Sequence, residues 1–386
     1  MGLFRFLTAG ESHGECLVAI IDGLPAGLRI SSSDINIDLG RRQAGYGRGG
    51  RMLIERDQVR ITSGVRGGRT LGSPVTLLIP NRDWANWTSR MSVDGPAEGP
   101  LVTAPRPGHA DLPGALKFGH ADLRNVLERA SARETASRVA VGAVARKLLH
   151  EFGVKITSHV IAIGPVRAQN IPSRLEVLDR IAGLSPVRCG DAVAGRAMVK
   201  AIDRAIASKD TLGGEVEVRV AGLPAGLGSY THWDLRLDSR IAASVMGVQA
   251  VKGVAIGDAF RVAALPGSRA HDGIFFRRGR GFYRRTNRAG GLEGGVTNGE
   301  ELLVRVAVKP ISTLMRPLGT VDIRTKKPVR AHIERSDSCI VPAAAVVVES
   351  AVAQELARSF QEKFGGDSLD EMRRNWRSYT ASLRSF

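Results

Sequence analysis

Cysteine is scarce in this chain. Its 386 residues include three, Cys16, Cys189 and Cys339, widely spaced and with no Cys-x-x-Cys pair. That argues against a disulfide framework or a structural zinc site and points to a reducing cytoplasm. Aromatic residues make up only 5%, thin for a surface that stacks nucleic-acid bases. Long apolar runs are missing too. The longest, Cys339 to Val348, is broken by Pro342 and is too short to span a bilayer. The first residues lack the apolar core of a signal peptide and turn acidic at Glu11. No linker or low-complexity stretch divides the chain, whose length allows two domains or one large one.

Negative charge is in deficit: 38 acidic side chains face 55 Lys and Arg, a net charge of +17. A surplus of this size suits a polyanion, whether nucleic acid, membrane or a phosphorylated metabolite. The arginines cluster at Arg41, Arg42, Arg48 and Arg51, then at Arg124, Arg129, Arg133 and Arg138, then from Arg277 to Arg288. Arginine predominates over lysine there, and its planar fork captures phosphate and carboxylate in pairs of bonds.

Strand signals fall at Val18–Asp22, Val59–Ser63, Val75–Ile79, Val154–Ile163, Glu215–Val220 and Leu302–Val308. Helical periodicity marks Ala132–Phe152, opened by a Ser131/Glu134 capping box, and also Ser173–Ala182, Ala197–Ser208, Leu235–Val248 and Ala343–Lys363. The elements do not alternate regularly, which predicts α+β rather than a doubly wound sheet. Gly23-Leu24-Pro25-Ala26-Gly27-Leu28 recurs as Gly222 to Leu227, and Leu127-Glu128-Arg129 is echoed by Ile333-Glu334-Arg335. Two echoes at similar offset suggest an internal duplication with pseudo-twofold symmetry.

Four stretches carry chemistry. Gly10-Glu11-Ser12-His13-Gly14 matches the nucleophile elbow of a serine hydrolase, but that motif needs a helix after it, and the next residues read as a strand. The other reading is a glycine turn that delivers His13. Gly45-Tyr46-Gly47-Arg48-Gly49-Gly50 matches a dinucleotide fingerprint, but a helix precedes it and Met52–Ile54 looks extended. What remains is a flexible loop with Arg42, Arg48 and Arg51 that can close over an anion. Arg106 to Arg138 holds His109 and His120, each in Gly-His-Ala-Asp, then Arg129, Ser131 and Arg133 at a helix start, where free N–H groups attract anions. His120 reads as structural. No metal spacing is present. Lys309 to Thr313 and Glu334 to Asp337 offer further anion ligands, with Asp337 either a base or the N-cap of the next helix.

Taken in order, GESHG, RRQAGYGRGGR, RPGHAD, KFGHADLRNVLERASARETASR, GVQAVKG, TNRAGGLEGGVTNGE, VKPISTL and ERSDSCIVP resemble the chorismate synthase family over nearly the whole chain. The resemblance implies a β-α-β sandwich, long helices between antiparallel sheets, in a homotetramer. It implies a lyase that eliminates phosphate from 5-enolpyruvylshikimate 3-phosphate in a 1,4-anti sense with reduced FMN, last in the shikimate pathway. By resemblance His13, His109 and Asp337 are catalytic, and Arg48, Arg106, Arg133 and Arg335 bind substrate. Flavin contacts are implied at Arg129, Ala130, Ser131, Gln249, Ala250, Gly294, Lys309, Pro310, Ile311, Ser312, Thr313 and Arg335. NADPH, a possible reductant, is implied at Arg42 and Arg48. The partner is then a small phosphorylated substrate, with no nucleic acid, membrane or metal. Two other readings stand beside it: a serine hydrolase from GESHG and a nucleic-acid-binding protein from the charge.

Overall fold

Two antiparallel sheets carry the chain in this computed structural model, which describes residues 4–49, 56–334 and 336–386. The first sheet orders its strands as Arg5–Ala9, Cys16–Asp22, Val75–Pro80 and Arg60–Ile61. Leu17, Ala19 and Ile21 alternate with more exposed neighbours and lie beside the alternating Val75, Leu77 and Ile79. That period of two buries one face only. The second sheet orders Val251–Ile256, Leu302–Val308, Gly214–Ala221, Lys155–Ile163 and Val166–Arg167. Its strand Lys155–Ile163 is buried almost from end to end. Helix Val341–Phe364 packs against this strand, as do helices Leu175–Leu184 and Ala192–Ala207.

Helix Thr135–His150 packs on the first sheet, helix Val341–Phe364 on the second, and the two helices pack on each other. Their contact is close. A Cβ on Gly142 would lie 2.3 Å from the Cβ of Ser350, so only glycine fits. Gln354 Nε2 donates to the Arg138 carbonyl across the same seam at 2.6 Å.

The expected strands and helices are present, with ends moved by a few residues; Val59–Ser63 shortens to Arg60–Ile61. Met52–Ile54 lies outside the described residues. Two expectations at helix starts are corrected. The Ser131/Glu134 capping box does not form. Ala132–Glu134 is a 3-10 turn, Ser131 Oγ accepts from the Arg133 N–H, and the regular helix begins at Thr135. Glu134 instead accepts from Thr8 Oγ1 at 2.9 Å and Gln249 Nε2 at 3.1 Å. Nor is Asp337 an N-cap, since the helix after it starts at Val341 behind Ile340. The C-terminal helix Leu369–Ser385 was not foreseen, although Ser368 and Glu371 form the capping box that announces it.

The repeated hexapeptides each follow a strand and share one hydrogen-bond pattern. Thr70 Oγ1 accepts from the Leu28 N–H and donates to the Pro25 carbonyl, and Gly27 N–H donates to the Thr70 carbonyl. Thr297 does the same for Leu227, Pro224 and Gly226. Each threonine ends a Gly-Gly-x-Thr turn, Gly67 to Thr70 and Gly294 to Thr297.

Candidate active site

Loops and helix starts from both halves of the sequence meet around a cavity of about 880 Å³. One wall comes from the turn between the first two strands. Gly10 has φ +104°, and a Cβ there would lie 2.4 Å from the Cys16 carbonyl oxygen, so the GESHG turn is tight. Ser12 is buried and its Oγ accepts from Ser131 Oγ at 3.1 Å. A strand, Cys16–Asp22, follows it, so the strand-turn-helix elbow of a serine hydrolase is absent. His13 lines the cavity. Its backbone N–H donates to Glu128 Oε2 at 2.8 Å, its Nδ1 lies 2.9 Å from Glu128 Oε1, and its ring stacks on Trp87 at 3.8 Å.

Buried arginines form a second wall. Arg42 and Arg133 share the buried Asp57, at 3.3 and 2.5 Å. Arg133 also donates to Asn81 Oδ1, and Arg42 to Thr135 Oγ1 and the Ala132 carbonyl. Burial pushes the Arg42 guanidinium down to about 10; Asp57 opposes this, and Arg48 and Arg133 add repulsion. This is a site short of negative charge. Arg48 pairs with Asp337 at 2.8 Å, and Asp337 also accepts from the Gly49 N–H at 2.6 Å. Ser338 N–H donates to the Gly47 carbonyl. The described part of the glycine loop is therefore docked on residues 336–339; Arg51 lies outside the described residues.

Arg106 donates to Asp111 at 2.8 Å and to Thr313 Oγ1 at 2.9 Å, and His109 Nδ1 lies 2.5 Å from Asp111 Oδ1. Burial opposes charge on Asp111, but bonds from His109 and Arg106 outweigh it and hold the carboxyl well below the usual range. Lys309 Nζ donates to the Gly108 carbonyl. Ala250 adopts φ +70°, a strained conformation for a residue with a side chain, and its carbonyl accepts from the Lys309 N–H.

Of the expected site residues, His13, His109, Asp337, Arg42, Arg48, Arg106, Arg133, Ala130, Ser131, Gln249, Ala250 and Lys309 to Thr313 all line this cavity. Two do not. Arg129 turns outward and donates to the Thr8 and Gly10 carbonyls. Gly294 sits in the Gly-Gly-x-Thr turn that braces the second hexapeptide. Arg335 lies outside the described residues. His120 is not part of the lining; its ring neighbours Phe118. The Arg277 to Arg288 stretch contributes a hairpin, Ile274–Arg277 with Gly281–Arg284, that takes no part in the lining.

The lining also holds Trp87, Arg90 and His332, which sequence reading passed over, and Arg124 and Glu334, which it named only as members of longer stretches. A Trp in a polar segment, and Arg124 with Glu128 at i,i+4 inside one quoted motif, were the available signals. Bonding from His332, with Arg124 and Arg106 nearby, holds Glu334 at about 2 against the opposing effect of burial.

The donor set fits a flavin beside an anion. Val248, Ile311, Ile340 and Val347 line the same cavity as the cations. The buried Oε1 of Gln249 has no hydrogen-bond partner among the described residues, and the volume suits an organic ligand. Among the described residues, no group of His, Cys, Asp and Glu could hold a metal ion, and no helix is long and apolar enough to cross a membrane.

Comparison with known proteins agrees with this geometry. A family model described as chorismate synthase matches residues 4–360. Chorismate synthase of Moorella thermoacetica is 58% identical over 99% of this chain and 100% of its own length. That of Symbiobacterium thermophilum is 57% identical over 98% and 99%, and that of Geobacter metallireducens 55% over the whole of both chains. A crystal structure of chorismate synthase, 40% identical, superposes over the full length of both chains with a TM-score of 0.82. The chain thus belongs to the chorismate synthase family, and it is a lyase of aromatic biosynthesis.

Proposed function

We propose that this cavity binds 5-enolpyruvylshikimate 3-phosphate next to reduced FMN, and that His13, His109 and Asp337 carry the elimination. The observation that supports the reading best is that these three line one cavity with Arg48, Arg106 and Arg133. Those arginines, with Arg335, neutralise a substrate that carries a phosphate and two carboxylates and fix its orientation. Ala130, Ser131, Gln249, Ala250 and Lys309 to Thr313 hold the flavin; Arg129 and Gly294, which stand away from the cavity, are left out of that set. Reduced flavin, when bound, supplies electron density to the electron-poor ring without net redox change.

The chain's own residues do the rest. His13 gives a proton to the departing phosphate, where charge develops as the C–O bond breaks. Asp337 assists loss of the ring proton. His109, anchored by Asp111, holds a proton toward the flavin site. Arg42 and Arg48 are the proposed contacts of NADPH. We also read residues 1–386 as one domain, a β-α-β sandwich descended from a duplicated unit; the matching Thr70 and Thr297 bonding supports this. The assembly is a homotetramer working in the cytoplasm, with a small phosphorylated substrate and no nucleic acid.

The test is anaerobic turnover with photoreduced FMN. His13→Ala should fold and lose about 10²–10⁴-fold in kcat, while Ser12→Ala keeps substantially more. Near wild-type kcat in His13→Ala would remove the proposed role.

A further inference from the structure

We infer that Glu128, braced by Arg124, is the positioning residue that fixes the tautomer and charge of His13 for the elimination. The inference rests on the proton-donor role proposed for His13. Glu128 sits on helix Arg124–Ala130 and is only 2% exposed. Its carboxylate bonds both His13 and Arg124, and His13 Nδ1 lies within reach of both its oxygens. Oε2 accepts from the His13 backbone N–H at 2.8 Å, and Oε1 lies 2.9 Å from His13 Nδ1. Oε1 also accepts from Arg124 at 3.0 Å. The Ser12 N–H donates to the Glu128 carbonyl as well, so the helix grips the turn through backbone and side chain together.

The carboxylate is ionised. Burial opposes this, but bonding and charge from His13 and bonding from Arg124 outweigh it and lower its titration. An ionised carboxylate only accepts, so Nδ1 must carry the hydrogen, and the proton that moves in turnover belongs to Nε2. Ring rotation is blocked on the other side by Trp87, stacked at 3.8 Å.

Arg124 ties this unit to the far wall. It is 7% exposed, bonds Glu334 at 2.9 Å as well as Glu128, and lies 5.2 Å from the Trp87 ring centre. One guanidinium thus holds the carboxylate and the aromatic plane between which His13 is set. Besides this pair, the charged and titratable side chains lining the cavity with His13 include Asp83, Arg90, Arg48, Asp337, His332 and Glu334. The variants below leave all six in place.

Glu128→Gln has nearly the same shape but the wrong chemistry. Its amide nitrogen must face an N–H of His13 or Arg124, donor against donor. The imidazole also loses its anionic partner.

The experiment compares wild type, Glu128→Gln, Glu128→Asp, His13→Ala and the Glu128→Gln/His13→Ala double variant. Anaerobic kcat and KM are measured across pH with reduced FMN, and imidazole ¹⁵N NMR reads the His13 tautomer in flavin-free protein. Glu128→Gln should lower kcat on the order of 10–100-fold with little change in KM. The pH profile of kcat should change shape, and the Nδ1–H tautomer should be lost. In the His13→Ala background the same change should cost almost nothing. Glu128→Asp, one methylene short, should lose turnover but keep the wild-type pH profile.

Three results overturn the inference: an unmoved profile and tautomer in Glu128→Gln, an equal loss in both backgrounds, or wild-type turnover in Glu128→Asp. The last covers the case in which Glu128→Gln does not fold. Near wild-type turnover by His13→Ala sinks the role of His13 and this inference together. An impaired His13→Ala beside an unmoved Glu128→Gln sinks this inference alone.

Discussion

Replacing Asp57 by Asn should weaken the fold and at the same time make the cavity hungrier for anions. Asp57 has a side chain with 0% exposure and is the shared counter-ion of Arg42 and Arg133. Removing one partner from a buried ion pair costs about 3–5 kcal/mol. Here the lower end applies. Arg133 keeps two bonds to Asn81, and Arg42 keeps Thr135 and Ala132. At roughly 2.1 cal/mol/K per residue, 386 residues give an unfolding entropy of about 0.8 kcal/mol/K. A loss of about 3 kcal/mol then lowers Tm by about 4 °C.

The second half of the prediction separates charge from packing. With Asp57 neutral, Arg42, Arg48 and Arg133 stand together with one fewer anion, so inorganic phosphate should bind the variant more tightly and raise its Tm more than it raises that of wild type. The assay is differential scanning fluorimetry with and without phosphate, at constant ionic strength. A Tm within about 1 °C of wild type, or an equal phosphate shift in both proteins, refutes the reasoning.

Three further outcomes are expected. Arg48→Lys keeps the charge that meets Asp337 at 2.8 Å but loses the fork, so KM should rise more than kcat falls in steady-state kinetics; unchanged KM would mean that Arg48 does not hold substrate. Gly142→Ala puts a Cβ 2.3 Å from that of Ser350, so it should cost about 1–3 kcal/mol in denaturant unfolding, and no loss would mean that the helix seam is loose. Glu217 and Glu334 are held at about 2 by His159 and His332, in each case against burial. Folding therefore favours their ionised forms, and that stability is complete above the ordinary carboxylate range and lost as pH falls from about 4.5 toward about 2; a flat urea midpoint across this window would contradict it.

Much of the fold was legible because it is local. Leu17, Ala19 and Ile21 alternate, Val139, Ala140 and Ala143 recur at helical spacing, and such periods can be read without knowing any partner. The Glu134 cap failed for a different reason. A box that looks complete in sequence lost its carboxylate to Thr8 and Gln249, which only the folded chain brings near. Arg129 and Gly294, expected beside the flavin, are not in the cavity lining. Arg129 is beside cavity residues in sequence, yet its side chain points the other way, and Gly294 is held by a turn that serves the hexapeptide.

By itself the sequence determined the residue types: an excess of arginine, glycine turns around His13 and Arg48, and two apolar helices able to pack closely. It determined the family as well, because the motifs keep their order. Tertiary structure decided who pairs with whom. Asp57 with Arg133, Glu128 with His13, and Asp337 with Arg48 are each joined across dozens to hundreds of residues. The physical reason is that a buried charge must find its counter-charge in space. That choice depends on which loops meet, whereas helix and strand patterns depend on near neighbours in the chain.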